Sequence, residues 1–201
     1  MSRAEADLNS AKVWDETYSG DRAAGKRRID QPRLEFLVGE MRDWWQYHMD
    51  IDAPTLLDLG CGDGEMLRRV HAELPSWRKA GIDIAAKTLE VARGENPGFT
   101  FEVRSIYDIG AQSADVAWCG ETLEHLDRPE MAIESMVASL RPGGYLVCSV
   151  PNERMNPSPD HVREFSVSDA IKLTEGCGDL LRVRVVGNAG WASIVWSARK
   201  R

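Results

Sequence analysis

The sequence predicts an α/β fold: a doubly wound, mostly parallel sheet of seven strands that ends in an antiparallel hairpin. Three observations point to it. From Thr55 to Val150, short apolar runs alternate with segments of helical period, and successive βα units of this kind close as a parallel sheet with helices on both faces. The first run, TLLDL, stops at a turn with glycine at positions 60, 62 and 64 and passes directly into a helical pattern. Near the end the alternation ceases, and residues 181–186 and 191–196 follow one another across GNAG with no helix between them, as a hairpin does.

At 201 residues and 43% hydrophobic content, the chain can bury one core of ordinary size. Its organisation divides into a helical arm or lid over residues 1–50 and a main domain over 51–201. The formal charge of -7 and the pI near 5.2 give no global attraction to polyanions, which argues against nucleic acid and anionic membranes as partners. Cys61, Cys119, Cys148 and Cys177 form no C-x-x-C pair, and three of them fall in apolar or glycine-rich segments, so reduced thiols are expected. No apolar run is long enough to span a bilayer, and MSRAEADLNS lacks the apolar core of a signal peptide, so a cytoplasmic protein is expected.

In chain order, the polar arm carries a basic cluster at Lys26, Arg27 and Arg28, together with Val13, Trp14 and Tyr18 at helical spacing. Aromatic residues so placed need something to cover. Pro32 opens a helix over 33–48, with Leu34, Leu37, Val38, Met41 and Trp45 on one face. The helix after the glycine turn presents Met66, Leu67, Val70 and Leu74. Strands follow at 77–84, 99–104, 115–119 and 145–150. A helix over 85–93 lies between the first two. Another begins at Pro129, with Met131, Ile133, Met136, Val137 and Leu140 apolar, and RPGG stops it. Residues 166–175 form a helix with Ser166 and Asp169 in capping-box spacing. Arg199, Lys200 and Arg201 make a solvated end.

The turn restricts the cofactor. Glycine in such a turn allows positive φ and close approach of a ligand. A dinucleotide fingerprint would need glycine where Glu65 stands, and a phosphate loop would need Gly-Lys-Ser/Thr. A carboxylate at the helix start also repels pyrophosphate. A nucleoside without phosphates fits better. Leu56 to Gly64 resembles motif I of the class I S-adenosylmethionine (SAM) methyltransferases, hhDhGCGxG, with Asp58 as the motif acid. That resemblance is nearly continuous from residue 55 to about 166. It implies a Rossmann-like methyltransferase fold, SAM as cofactor, and contacts from Gly60, Cys61, Gly62, Ile84 and Cys119. Asp83, at the end of the second strand, is placed to accept the ribose hydroxyls, with capping of the next helix as the competing role. Asp108 is implied as acceptor from the adenine amino group with Ile106 and Tyr107 flanking the ring, or else as a turn residue before Gly110. Trp14, in a W-x-x-x-Y segment, is implied as part of a lid over the cofactor, with a solvated arm as the competing reading.

The acceptor end is carried by ETLEHLDRP, LRPGG and SVPN, which resemble a subgroup that includes the ubiquinone-biosynthesis O-methyltransferases. Glu121, Glu124 and His125 stand at i, i+3, i+4 and would share one face of a helical turn, and His161 follows in a polar loop. Two carboxylates and two imidazoles could hold a divalent metal. The set is also similar to the metal site of RNA 3'-end 2'-O-methyltransferases through Pro151, Asn152, Glu153 or Arg154, Asn156, Asp160 and His161, although its register departs and the basic surface is missing. In the organic alternative, Glu121 contacts the methionine end of SAM, His125 or His161 orients or deprotonates the acceptor, and Glu124 caps the loop. The expected function is SAM-dependent O-methylation of a small-molecule acceptor. The alternatives are a metal-assisted RNA 2'-O-methyltransferase and a SAM-binding module without catalysis.

Overall fold

The computed structural model describes residues 10–12, 14–15, 31–111, 113–152, 161–188 and 191–201. Val13 and Tyr18 of the arm, its basic cluster, and Glu153, Arg154, Asn156 and Asp160 lie outside the described residues.

The elements are α1 (Gln31–Gln46), β1 (Thr55–Leu59), α2 (Glu65–Glu73), β2 (Arg78–Asp83), α3 (Ala86–Glu95), β3 (Thr100–Val103), β4 (Ala114–Gly120), α4 (Pro129–Ser139), β5 (Leu140–Pro151), α5 (Val167–Thr174), β6 (Gly178–Asn188) and β7 (Trp191–Lys200). The sheet order is β3-β2-β1-β4-β5-β7-β6. Strands β1 to β5 pair in parallel, and β7 runs antiparallel to both β5 and β6. The order reverses between β1 and β4, and ligands of doubly wound sheets bind in the crevice at such a switch point, outside the carboxyl ends of the strands.

Strand side chains alternate between faces, so each central strand feeds two cores. Leu56, Val116, Trp118, Val147 and Val195 join α1, α2 and α3 on one side. Leu57, Ala117, Cys119, Leu146, Cys148, Ile194 and Trp196 join α4 and α5 on the other. The cysteines are free: Cys61, Cys119 and Cys148 are buried and Cys177 half-buried. Burial pushes the Cys119 and Cys148 thiols well above their usual range, as befits inert core residues.

Four expectations about elements are corrected. The buried tryptophan of α1 is Trp44, with its indole donating to the Gly143 carbonyl, and Trp45 is only half-buried. RPGG does not separate α4 from the next strand. It lies inside β5 as a bulge, because the register against β4 jumps from Ala114–Leu140 to Val116–Tyr145, and Gly143 absorbs the turn at φ 76°. At the charged end Arg199 and Arg201 are exposed as expected, whereas Lys200 is half-buried at the end of β7 and donates to the Leu140 carbonyl. On α4, Met131 is exposed and Ala132 takes its place in the core. The capping box at Ser166 and Asp169 forms as expected. Among the described residues, no helix is long and apolar enough to cross a membrane.

A buried charge ties α1 to the edge hairpin. Glu40 is 3% exposed and pairs with Arg182 of β6, which also reaches Asp43. Removing one partner of such a pair strands the other charge, whereas neutralising both costs little. Arg182→Met should therefore destabilise the protein by about 2 kcal/mol, the half-exposed position of Arg182 keeping the loss below that of a fully buried pair. Adding Glu40→Gln should recover most of it in urea unfolding.

Candidate active site

The glycine turn closes onto the end of β2. The N–H groups of Gly60 and Cys61 both donate to the Ile82 carbonyl, at 2.9 and 3.0 Å. Gly62 N–H donates to Asp83 Oδ2 at 2.9 Å, and Ala85 N–H donates to Asp83 Oδ1 at the same distance. Gly60, Gly62 and Gly64 all have positive φ, the conformation that favours glycine. Gly60 is also sterically required, because a Cβ there would lie 2.6 Å from Thr122 Oγ1. That close approach brings the loop after β4 directly beside the turn.

The turn is acidic rather than phosphate-binding. Gly62 N–H is spent on Asp83, and Glu65 N–H on the Asp63 carboxylate at 3.0 Å. Asp58, 3% exposed, stands among these acids. Burial, and then the charges of Asp83 and Asp63, push its carboxyl up to about 8. Burial also raises Asp83, opposed by hydrogen bonds from Ala85 and Gly62. Such a site favours a cation over a phosphate. Both roles of Asp83 are compatible: it orders the start of α3 through Ala85, and each carboxylate oxygen keeps further lone-pair capacity for a donor.

Past β3, Ser105 holds the next loop, accepting Tyr107 N–H on its hydroxyl and Asp108 N–H on its carbonyl. The Tyr107 hydroxyl accepts Arg128 N–H at 3.3 Å, and the Arg128 guanidinium lies 5.2 Å from the ring centroid. The Asp108 side chain is exposed, Ile84 and Ile106 are half-buried, and Cys119 is wholly inside the second core, so its side chain does not line the crevice.

The expected face of Glu121, Glu124 and His125 does not form. Helical structure is confined to one 3-10 turn, Leu123–His125, while Glu121 precedes it at φ 52°, with its N–H on the Ser149 carbonyl. A strand leaving the sheet must turn sharply there, and this separates the two glutamates. Glu121 Oε1 accepts the hydroxyls of Ser149 and Ser193, at 2.9 and 2.8 Å, and lies 3.2 Å from Arg33 Nη1. Glu124 turns inward, 1% exposed, with Oε1 3.7 Å from His125 Nε2. The rings of His125 and His161 meet edge-on, with centroids 5.1 Å apart, and Val162 N–H donates to the Glu124 carbonyl. One potential ligand atom from each of Glu124, His125 and His161 lies within 4.8 Å of the others. Among the described residues, Glu121 stands outside that group.

The described turn of the arm touches both rims. Trp14 packs edge-on against His125, with centroids 4.8 Å apart, and Asp15 Oδ1 accepts Lys87 N–H at 2.9 Å, in the first turn of α3. Sequence reasoning missed Arg33, Thr122, Ser149 and Ser193. The two serines carried a faint signal, since each is a hydroxyl in an otherwise apolar strand and a buried hydroxyl requires a partner. Arg33, in a polar stretch next to a proline, carried none.

Residues 57–148 match the Methyltransferase domain family. The chain is 28% identical over 146 residues to a trans-aconitate 2-methyltransferase of Paracidovorax citrulli, covering 71% of this chain and 56% of that protein. It is 29% identical over 121 residues to a ubiquinone biosynthesis O-methyltransferase of Albidiferax ferrireducens, covering 55% and 46%. The chain therefore spans about half the length of these curated relatives. A solved magnesium protoporphyrin IX methyltransferase from Synechocystis, with bound SAM, superposes over all of both chains with a TM-score of 0.71 at 16% identity, a likeness of fold. With the seven-stranded sheet and the glycine turn at its switch point, these similarities mark residues 57–148 as a methyltransferase domain within a Rossmann-like methyltransferase fold.

Proposed function

We propose that this protein transfers the methyl group of SAM to an oxygen of a small-molecule acceptor. The observation that carries the reading is the pairing, across one switch point, of an acidic glycine turn with two histidines backed by a buried carboxylate. SAM is a cation at sulfur and carries no phosphate, which suits the acids of the turn. Its ribose hydroxyls would donate to Asp83, its adenine would lie by Ile84, Tyr107 and Asp108, and its amino-acid end would pass Gly60 and Thr122 toward Arg33, whose guanidinium suits the carboxylate there.

Transfer needs the acceptor oxygen in line with the sulfonium methyl and, for a hydroxyl, a base. In this reading His125 takes the hydroxyl proton as the oxygen attacks the methyl carbon, and the sulfonium electron pair returns to sulfur, giving S-adenosylhomocysteine. Glu124, buried behind His125, would stabilise the imidazolium. Trp14 and Asp15, bridging the two rims, support a lid that excludes water for the part of the arm before α1, α1 itself being a core helix. The net charge of -7 supports a small acceptor over RNA. A second reading has one specific observation behind it: Glu124, His125 and His161 are a carboxylate and two imidazoles close enough to hold a divalent ion, which would supply charge stabilisation to the acceptor oxygen.

SAM and S-adenosylhomocysteine should raise the melting temperature, and NAD should not. His125→Ala should lower kcat by about 10²- to 10⁴-fold with SAM affinity retained. EDTA should leave the rate unchanged on the organic reading, and loss of activity restored by one added divalent ion would establish the metal instead. The pH dependence follows from Asp58. An unfolded aspartate titrates near ~4. A carboxyl pushed up to about 8 contributes its stability fully below pH ~4, and that contribution is lost as the pH rises to about 8. Between pH 5 and 8 the cofactor-free protein should therefore lose about 3 kcal/mol relative to Asp58→Asn, as measured by urea unfolding. The sulfonium favours the ionised carboxylate, so SAM should gain affinity over S-adenosylhomocysteine across the same range, and Asp58→Asn should abolish the gain.

A further inference from the structure

Glu121 lies at the carboxyl end of β4, in the position of a catalytic acid, yet its surroundings are those of an anchor. Its Oε1 receives two hydroxyls and one guanidinium, from three separate elements: Ser149 of β5, Ser193 of β7 and Arg33 of α1. Both serines are fully buried, so their hydroxyls have fixed surroundings, and the Arg33 and Glu121 side chains are only 12% and 22% exposed. The backbone is committed as well. Glu121 holds φ 52°, a strained conformation for a residue with a Cβ, and its N–H is secured by the Ser149 carbonyl. Glu121 thus sits at the junction of three strands and the first helix, while its neighbour Thr122 packs against Gly60.

We propose that Glu121 is a positioning residue: with Ser149 and Ser193, it holds the Arg33 guanidinium at the amino-acid end of the cofactor, and it takes no part in moving the acceptor's proton. This rests on the reading of the crevice as a SAM site. An arginine side chain loses much rotamer freedom on binding an anion, and a carboxylate that fixes one end of its planar fork removes that cost beforehand. The two serine hydroxyls do the same for the carboxylate. Glu121 therefore acts on cofactor affinity through Arg33, whereas Glu124, three residues on, faces the histidines.

Isothermal titration of the full chain tests this with two probes, S-adenosylhomocysteine and 5'-methylthioadenosine, which shares the nucleoside and lacks the amino-acid end. Arg33→Met and Glu121→Ala should each weaken S-adenosylhomocysteine by about 10-fold or more, as loss of a charge-assisted contact does, and leave methylthioadenosine unchanged. The double variant should bind no worse than Arg33→Met, since Glu121 works through the arginine. Glu121→Gln, which still accepts the hydroxyls, should lie between Glu121→Ala and the parent. Ser149→Ala with Ser193→Ala should reproduce a smaller loss without the strain of altering position 121. Three results would overturn the proposal: unchanged S-adenosylhomocysteine binding in a folded Glu121→Ala protein, equal weakening of both probes, or additive losses in the double variant. A parent protein that binds neither probe overturns the cofactor reading itself, a different failure.

Discussion

Asp83 joins three things that would otherwise be independent: the end of β2, the glycine turn after β1 and the start of α3. One carboxylate accepts N–H groups from Gly62 and Ala85, while Gly60 and Cys61 donate to the carbonyl just before it. The turn has three glycines in positive φ and little side-chain material of its own, so its shape must be imposed from outside, and Asp83 imposes it. The acid therefore cannot be only a ligand contact waiting for a ribose. Its desolvation is partly offset by backbone donors before any cofactor arrives, and those donors preform the crevice.

The electrostatic character of the crevice follows from that constraint. Packing Asp83 against the turn places it close enough to raise the Asp58 carboxyl, and Asp63 adds to the same field. Helix N-termini ordinarily attract phosphate, but here the first N–H groups are bonded to carboxylates. The local geometry of a nucleotide turn is kept and its charge preference inverted. Sequence alone suggested this through the single residue Glu65. The structure moves the weight to Asp58, Asp63 and Asp83, which lie in β1, in the turn that follows it and at the end of β2.

What was legible in the sequence was whatever depends on period and on short-range chemistry. The sheet, its hairpin, the glycine turn and the Ser166 capping box are fixed by neighbours within a few residues, and the structure agrees with them. The failures share a different cause. RPGG looks like a helix stop followed by a new strand, but β4 alongside pairs on both sides of it, so it becomes a bulge. Helical spacing favoured Trp45, but Trp44 is the residue that meets Gly143, almost 100 positions away in sequence. Arg33 and Ser193 acquire their roles only when α1 and β7 arrive at the same corner of the sheet. No local pattern reports a contact of that span.

The acceptor end shows how much one backbone angle decides. Spacing of i, i+3, i+4 would bring Glu121, Glu124 and His125 together on a helix, and their residue types suit one shared site. Glu121 instead leaves β4 with φ 52°, and the helical turn does not begin until Leu123. The two carboxylates are thereby given different environments: Glu121 faces the buried serines and Arg33, and Glu124 faces inward behind His125. A carboxylate already holding two hydroxyls and a guanidinium has little capacity left on that oxygen to accept a proton or a metal ion. A buried carboxylate beside two imidazoles is placed to stabilise a positive charge among them, whether that charge is a proton or a cation. These contrasting environments are the ground on which the proposed chemistry is assigned to Glu124, His125 and His161, and the proposed grip on the cofactor to the strained residue before them.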